Sequence, residues 1–193
     1  MPTDNIAIES PPDATSKHHK FIGIQHNNAA WDLTHLDSFV HRIDPGLGFE
    51  IDVVVLFSCH CFTRSISNSE IFGAYKDQNI YDDGREIRAL DSERYHLSKM
   101  YLPRLMRELS SRKIQVIAGA NFVTFEDLGN IVPTERYAVF FEVTQDQRRR
   151  KRLLLRVQSA YRIESLSQRQ QMAKKVKFKT LLKAAYEGRP IRR

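Results

Sequence analysis

Residues 136–162 read RYAVFFEVTQDQRRRKRLLLRVQSAYR, and this stretch decides the fold. Tyr137, Val139, Phe141 and Val143 alternate along its first part, and Leu153, Leu155 and Val157 along its second. That is the period of strands burying one face, so the stretch predicts a β-hairpin whose turn holds Arg148, Arg149, Arg150, Lys151 and Arg152. Continuing the same parity past Val157 puts Ser159 and Tyr161 side by side on that face, roughly 7 Å apart. An apolar face that turns polar at one end is a place for a site.

Working outward, the strongest strand of the first half is Phe49–Phe57, FEIDVVVLF. Phe49, Ile51, Val53, Val55 and Phe57 share one face, and Val54 with Leu56 makes the other apolar as well, which predicts a central strand. Asp91 or Ser92 caps a helix beginning at Glu93, with Leu97, Tyr101, Leu105 and Leu109 recurring every four residues and Met106 beside them. Pro103 lacks an N–H and predicts a kink or a split near Lys99–Leu102. Ile114–Ala118 and Asn121–Phe125 read as strands, and Gly129–Pro133 leads into the hairpin. Val176–Glu187 reads as a helix with Phe178, Leu181, Leu182 and Ala185 inward, stopped by Gly188 and Pro190. Phe21–Gln25 reads as a short strand, Trp31–Val40 as a helix, Asp44-Pro45-Gly46 as a turn and residues 65–90 as irregular surface. The sum is an α+β domain: a mostly antiparallel sheet with a helical pair packed on it, a C-terminal hairpin and a terminal helix. Residues 1–20 read as a disordered tail, 21–188 as a single domain in which 162–175 is mobile, and 189–193 as a basic tail.

The 193 residues suit one domain with tails, and 41% hydrophobic with 27% charged residues is ordinary for a globular protein. No apolar run approaches the ~20 residues of a membrane span, and the N-terminus has no signal-peptide pattern. With only Cys59 and Cys61 as cysteines, a cytoplasmic location is expected. The net charge of +7 is unevenly spread: the first 147 residues carry 14 Lys/Arg against 21 Asp/Glu, the last 46 carry 16 against 2. A concentrated cation on a mildly acidic body predicts a polyanionic partner, nucleic acid first and an anionic membrane surface second, with an acidic protein partner as a further alternative. Arg148, Arg149, Arg150, Lys151 and Arg152, together with Lys174, Lys175, Lys177 and Lys179, are the expected contacts to its backbone.

Metal-independent cleavage of RNA needs a base for the 2′-OH proton, an acid for the leaving oxygen, and cations or hydroxyls for the phosphorane. His60, directly after the central strand, is the first candidate for proton transfer and His96, in the first helical turns, the second. Arg94, near a helix N-terminus, and then Arg64, Arg156 and Arg162 are candidates for holding phosphate. Ser159 and Tyr161 are candidates for donating to it, or for stacking on a base. Each of these is also compatible with an ordinary surface or core role. Cys59-His60-Cys61 suggests zinc, but strand alternation would point His60 away from both cysteines, and no second ligand pair completes the set. No metal and no other cofactor is therefore expected; Gly-rich phosphate loops, GxSxG and HExxH are absent.

The order of elements, and above all Arg136–Val143 followed by a basic turn and Leu154–Val157, resembles the small RNases of the RelE type and the wider barnase, EndoU and colicin-like superfamily. The Ser159-Ala160-Tyr161 ending is similar to a Ser/Thr-x-Tyr ending in that superfamily. The likeness covers roughly Phe49 to Tyr161. The chain is about twice as long as a typical toxin of this kind, and 58–90 has no counterpart there. The resemblance implies a metal-independent endoribonuclease or toxin-like protein acting on RNA, with an antitoxin among the partners it implies. From His60 to Gly188 the chain also resembles small proteins of bacterial chromosomes and mobile elements, which implies no mechanism. The rival readings are a non-catalytic nucleic-acid-binding module using the basic turn and C-terminal helix, and an interaction protein docking on an acidic partner.

Overall fold

A computed structural model of the chain describes residues 6–7, 20–67, 69, 79–117, 122–127 and 135–190. Its strands are β1 (Ile6–Ala7), β2 (Ile24–His26), β3 (Ala29–Trp31), β4 (Phe39–Ile43), β5 (Ile51–Phe57), β6 (Thr63–Arg64), β7 (Ile80–Asp82), β8 (Ile87–Leu90), β9 (Lys113–Val116), β10 (Phe122–Asp127), β11 (Arg136–Gln145), β12 (Arg152–Ile163) and β13 (Lys174–Lys177). The helices are α1 (Ser92–Arg107), α2 (Gln168–Gln171) and α3 (Phe178–Tyr186). Eight strands form one sheet in the order β1-β4-β5-β12-β11-β10-β9-β13, in which β5 and β12 run parallel and every other pair is antiparallel. β2-β3 and β6-β8-β7 make two smaller antiparallel sheets. The fold is α+β, as the sequence predicts.

β5 lies between β4 and β12 and is apolar on both faces for that reason. Ile51, Val53, Val55 and Phe57 join the main core with Tyr137, Val139 and Phe141 of β11 and Leu153, Leu155 and Val157 of β12. Leu102, Leu105 and Met106 of α1 and Phe178, Leu181 and Leu182 of α3 belong to the same core. Val54 and Leu56 pack instead with Val40, and Leu154 lies against them. Side chains of this kind, buried almost completely, contribute about 1.5–3 kcal/mol each.

Asp91 caps α1, its Oδ1 accepting from Arg94 N at 3.0 Å. The helix runs through Pro103 without splitting. Leu102, Leu105 and Met106, all fully buried around the proline, outweigh the ~3 kcal/mol that a proline costs a helix interior. The buried stripe is Tyr95, Ser98, Leu102, Leu105 and Met106, with Leu97 and Tyr101 flanking it.

Four expectations change. Trp31–Val40 is the end of β3, a 3-10 turn at Thr34–Leu36 and the start of β4; its apparent helical spacing yields to the pairing of Phe39–Ile43 with β5. Within 65–90, β7 and β8 form a hairpin too short to show periodicity. Residues 162–175 hold the end of β12, the capping box of Ser167 and Gln170 on α2, and the first residues of β13 at the sheet edge. Ile6 and Ala7, in the stretch expected to be disordered, pair with His41 and Val40 of β4. The expected features at Ala118–Asn121, at Gly129–Pro133 and at 191–193 lie outside the described residues.

The hairpin carries the consequential difference. Val157 pairs with Phe141 but Ser159 pairs with Phe140, so Gln158 is an extra residue, a β-bulge. The bulge reverses the parity that the sequence implies. Ala160 takes the core position, fully buried, and Ser159 and Tyr161 leave it.

Candidate functional site: a charged cleft at the end of the central strands

Beyond Phe57 the chain leaves strand geometry for a 3-10 turn at Cys59–Cys61. Ser58 ties that end to the bulge: its N donates to Val157 O at 3.1 Å and its Oγ to Gln158 O at 2.6 Å. Across from it stands the turn of the β7–β8 hairpin. Asp82 Oδ1 accepts from Gly84 N at 2.7 Å, and Asp83 Oδ1 from Arg85 N and Glu86 N at 2.9 and 3.0 Å. Gly84 supplies the positive φ, 79°, that this turn requires. Ser58–His60, Asp83, Arg85 and Glu86, and Arg156, Gln158 and Ser159, with Phe21, line a cleft of about 430 Å³.

His60 Nε2 lies 2.6 Å from Glu86 Oε1. The other oxygen, Oε2, accepts from Arg88 Nη1 at 2.8 Å, and Arg88 Nε donates to Thr63 Oγ1 at 2.8 Å. Thr63 Oγ1 in turn donates to Cys59 O at 2.8 Å. Hydrogen bonding from His60, then from Arg88, holds the Glu86 carboxyl below the usual carboxylate range. Cys59 Sγ donates to Asp83 Oδ2 at 3.7 Å. Burial, then the charge of Asp83, pushes this thiol up to about 12, so it is not a thiolate nucleophile near neutrality. Burial does the same to Cys61, which sits in the core, up to about 12. Burial alone would raise the Asp83 carboxyl, but its bonds from Glu86 N, Arg85 N and the Cys59 thiol carry it downward.

Of the residues singled out in the sequence, the cleft brings together His60, Arg156 and Ser159. Arg94 stands behind its wall: Nη1 donates to the carbonyls of His60 and Thr63 at 3.2 and 2.9 Å, and the guanidinium lies 4.7 Å over the Tyr161 ring. Tyr161 also stacks on Phe140, with centroids 5.5 Å apart. Burial lowers the Arg94 pKa. Arg94 and Tyr161 thus pin the His60 turn to β12 from the side away from the cleft lining. Arg162 pairs with Glu93 and Glu135 at 3.1 and 3.5 Å. Arg64 is exposed, with Nη1 donating to Ser65 O, and His96 is exposed on α1 with its ring against Tyr95. The sequence reading passes over Asp83, Arg85 and Glu86 as site residues. The run Asp82-Asp83-Gly84 is itself a turn signal, but no local pattern joins Glu86 to a histidine 26 residues earlier. The alternation argument against metal does not hold either, since the 3-10 turn brings donor atoms of Cys59 and His60 within 4.8 Å of each other and of Glu86.

The basic turn lies at the other end of β12. Asp146 anchors it, with Oδ1 accepting from Arg148 N at 2.9 Å and Oδ2 lying 3.4 Å from Arg152 Nε. Lys151, at φ 59°, places its Nζ 4.6 Å from the centre of the Phe49 ring. Arg148, Arg149 and Arg150 are exposed beside an open cleft of about 770 Å³ that includes Phe49 and Tyr186. Lys174, Lys175 and Lys177 are exposed on β13 and Lys179 on α3. Three strands separate β13 from β12, ~19 Å at the usual strand spacing, whereas α3 ends beside the basic turn, with Gln145 Nε2 donating to Tyr186 O at 2.6 Å.

Among the described residues no helix is long and apolar enough to cross a membrane. Residues 23–186 match the model of the YjaZ family. No curated protein and no solved structure matches the chain.

Proposed function

We propose that this chain, which belongs to the YjaZ family, is a ribonuclease-like protein acting on RNA phosphodiesters in the cleft at the end of β5 and β12. The observation that carries this reading is the 2.6 Å contact of His60 Nε2 with Glu86 Oε1, on a wall shared with Arg85, Arg156 and Ser159. An ionised Glu86 only accepts, so it places the imidazole proton on Nε2 and leaves Nδ1 as the basic nitrogen. In this reading Nδ1 takes the 2′-OH proton, the 2′-oxygen bonds to phosphorus, and the bond to the 5′-oxygen breaks to leave a 2′,3′-cyclic phosphate. Arg85 and Arg156 offset the phosphorane charge, Ser159 donates to it, and the departing oxygen takes its proton from solvent in the open cleft. No metal is required for these steps.

The test is cleavage of labelled RNA in EDTA by the wild type and by His60→Ala, Glu86→Gln and Arg156→Ala. Loss of cleavage in the first two, with folding intact, is expected. Absence of cleavage by the wild type, with binding retained, overturns the enzyme reading in favour of a non-catalytic nucleic-acid-binding module. That second reading is supported by Arg148–Arg150 standing exposed beside the aromatic rings of Phe49 and Tyr186. Binding of neither RNA nor DNA would leave the acidic protein partner.

A further inference from the structure

We infer that Cys59, His60 and Glu86 form a binding site for a divalent transition-metal ion of borderline softness, zinc above all. One sulfur, one imidazole nitrogen and one carboxylate oxygen, all within 4.8 Å of one another, are the donor types zinc takes, whereas calcium and magnesium favour sites built from oxygen alone. Bonds of ~2.0–2.3 Å in a tetrahedron set donor separations of about 3.3–3.8 Å, so closure asks for side-chain shifts of ~1 Å and no change of backbone.

The frame holding the donors is stiff. The Cys59 carbonyl accepts from Phe62 N and Thr63 Oγ1, and Cys61 N donates to Ser58 O. Arg88, with its side chain buried, holds the second oxygen of Glu86 and is itself held by Thr63, the outer-shell support that metal-binding carboxylates use. Asp83 Oδ2 stands 3.7 Å from Cys59 Sγ, placed to receive the thiol proton. The charges facing the site are mixed: Asp83 and Glu86 against Arg85, Arg88 and Arg156. A dication that turns the thiol into a thiolate raises the net charge of these groups by one, from +1 to +2.

Proton balance is simple. The ion bonds to Sγ, to Nε2 and to a Glu86 oxygen, the Nε2 proton moves to Nδ1, and the thiol proton leaves to solvent. One proton is released per ion. Occupancy also removes the basic nitrogen from the cleft, so zinc inhibits RNA cleavage. That consequence rests on the ribonuclease reading, while the binding itself does not.

Cobalt(II) titration of chelator-treated full-length protein tests the binding. One equivalent is expected to raise a near-ultraviolet thiolate-to-cobalt band, which zinc then abolishes. Cys61→Ser keeps the band and Cys59→Ser loses it. His60→Gln, at a partly exposed position that does not threaten folding, weakens cobalt binding by more than the ~10–100-fold that outer-shell losses cost. No band, a band that survives Cys59→Ser, or unchanged affinity in His60→Gln overturns the site. RNA cleavage with and without zinc is measured separately. An inert protein that still shows the band sinks the ribonuclease reading alone, and cleavage in EDTA by a protein without the band sinks the metal site alone.

Discussion

β12 carries a concentration of charge at each end, and the two are built on different plans. At its start, Arg148 to Arg152 are cations adjacent in sequence. Arg152 meets Asp146 and Lys151 meets Phe49, and Arg148, Arg149 and Arg150 are exposed on the turn. Near its other end, around the bulge, charges of both signs are interleaved, and they come from three stretches of chain: Ser58–His60, Asp83–Glu86 and Arg156–Ser159. A run of like charge attracts a polyanion whatever the fold does, because Coulomb attraction tolerates imprecise placement. A carboxylate within 2.6 Å of an imidazole works only if the fold delivers it.

The two ends therefore answer differently to mutation. Glu86→Gln leaves His60 without its orienting carboxylate and is expected to reduce kcat for RNA cleavage by ~10²–10⁴-fold. The triple change Arg148→Ala, Arg149→Ala, Arg150→Ala is expected to raise KM with kcat unchanged. Steady-state cleavage of one labelled RNA by both variants checks the pair, and a kcat loss in the triple variant would break the distinction. In stability, Arg88→Met strips Glu86 and Thr63 of their buried donor. A loss of ~2 kcal/mol is expected in urea unfolding, against less than ~0.5 kcal/mol for Arg149→Ala at the exposed turn. In binding, the triple variant should lower the slope of log affinity against log salt for single-stranded RNA by ~2, and Arg156→Ala by less than 1. Equal changes would mean that both ends contact the backbone alike.

The smallest effect comes from a histidine remote from both ends. Burial lowers the pKa of His35, whose Nε2 lies 2.9 Å from Ser98 Oγ. The unfolded chain protonates this imidazole first, so stability is constant above pH ~6.5 and declines as pH falls from there toward the lower folded value. His35→Gln should flatten the melting temperature in that window. A slope that persists in this variant belongs to another imidazole.

Legibility in the sequence follows the range of the interactions. The hairpin arms, the central strand β5 and the Asp91 cap of α1 rest on neighbours in sequence, and their patterns were visible. Pro103 was over-read because burial of Leu102, Leu105 and Met106 is a tertiary quantity. The Ser159–Tyr161 face was misassigned because a single extra residue, Gln158, reverses every side chain after it, and nothing in Val157–Ser159 signals a bulge. His60 shows from its place after a strong strand. Its partner does not, since β7 and β8 are too short for periodicity to show. Strand alternation argues against Cys59 and His60 sharing a ligand, but alternation stops applying once the chain turns after Ser58.

The parallel contact between β5 and β12 also governs the order in which the molecule assembles. Ser58 Oγ and the Gln158 carbonyl that it meets are 100 residues apart, whereas the β11–β12 hairpin closes across a short turn. Local pairing of this kind forms in microseconds, and closure over such a span is far slower. During synthesis the N-terminal strands β4 and β5 must wait for residue 157 to leave the ribosome before the middle of the sheet can zip. Until then β5 presents an apolar edge to solvent, the hazard that accompanies long-range strand pairing.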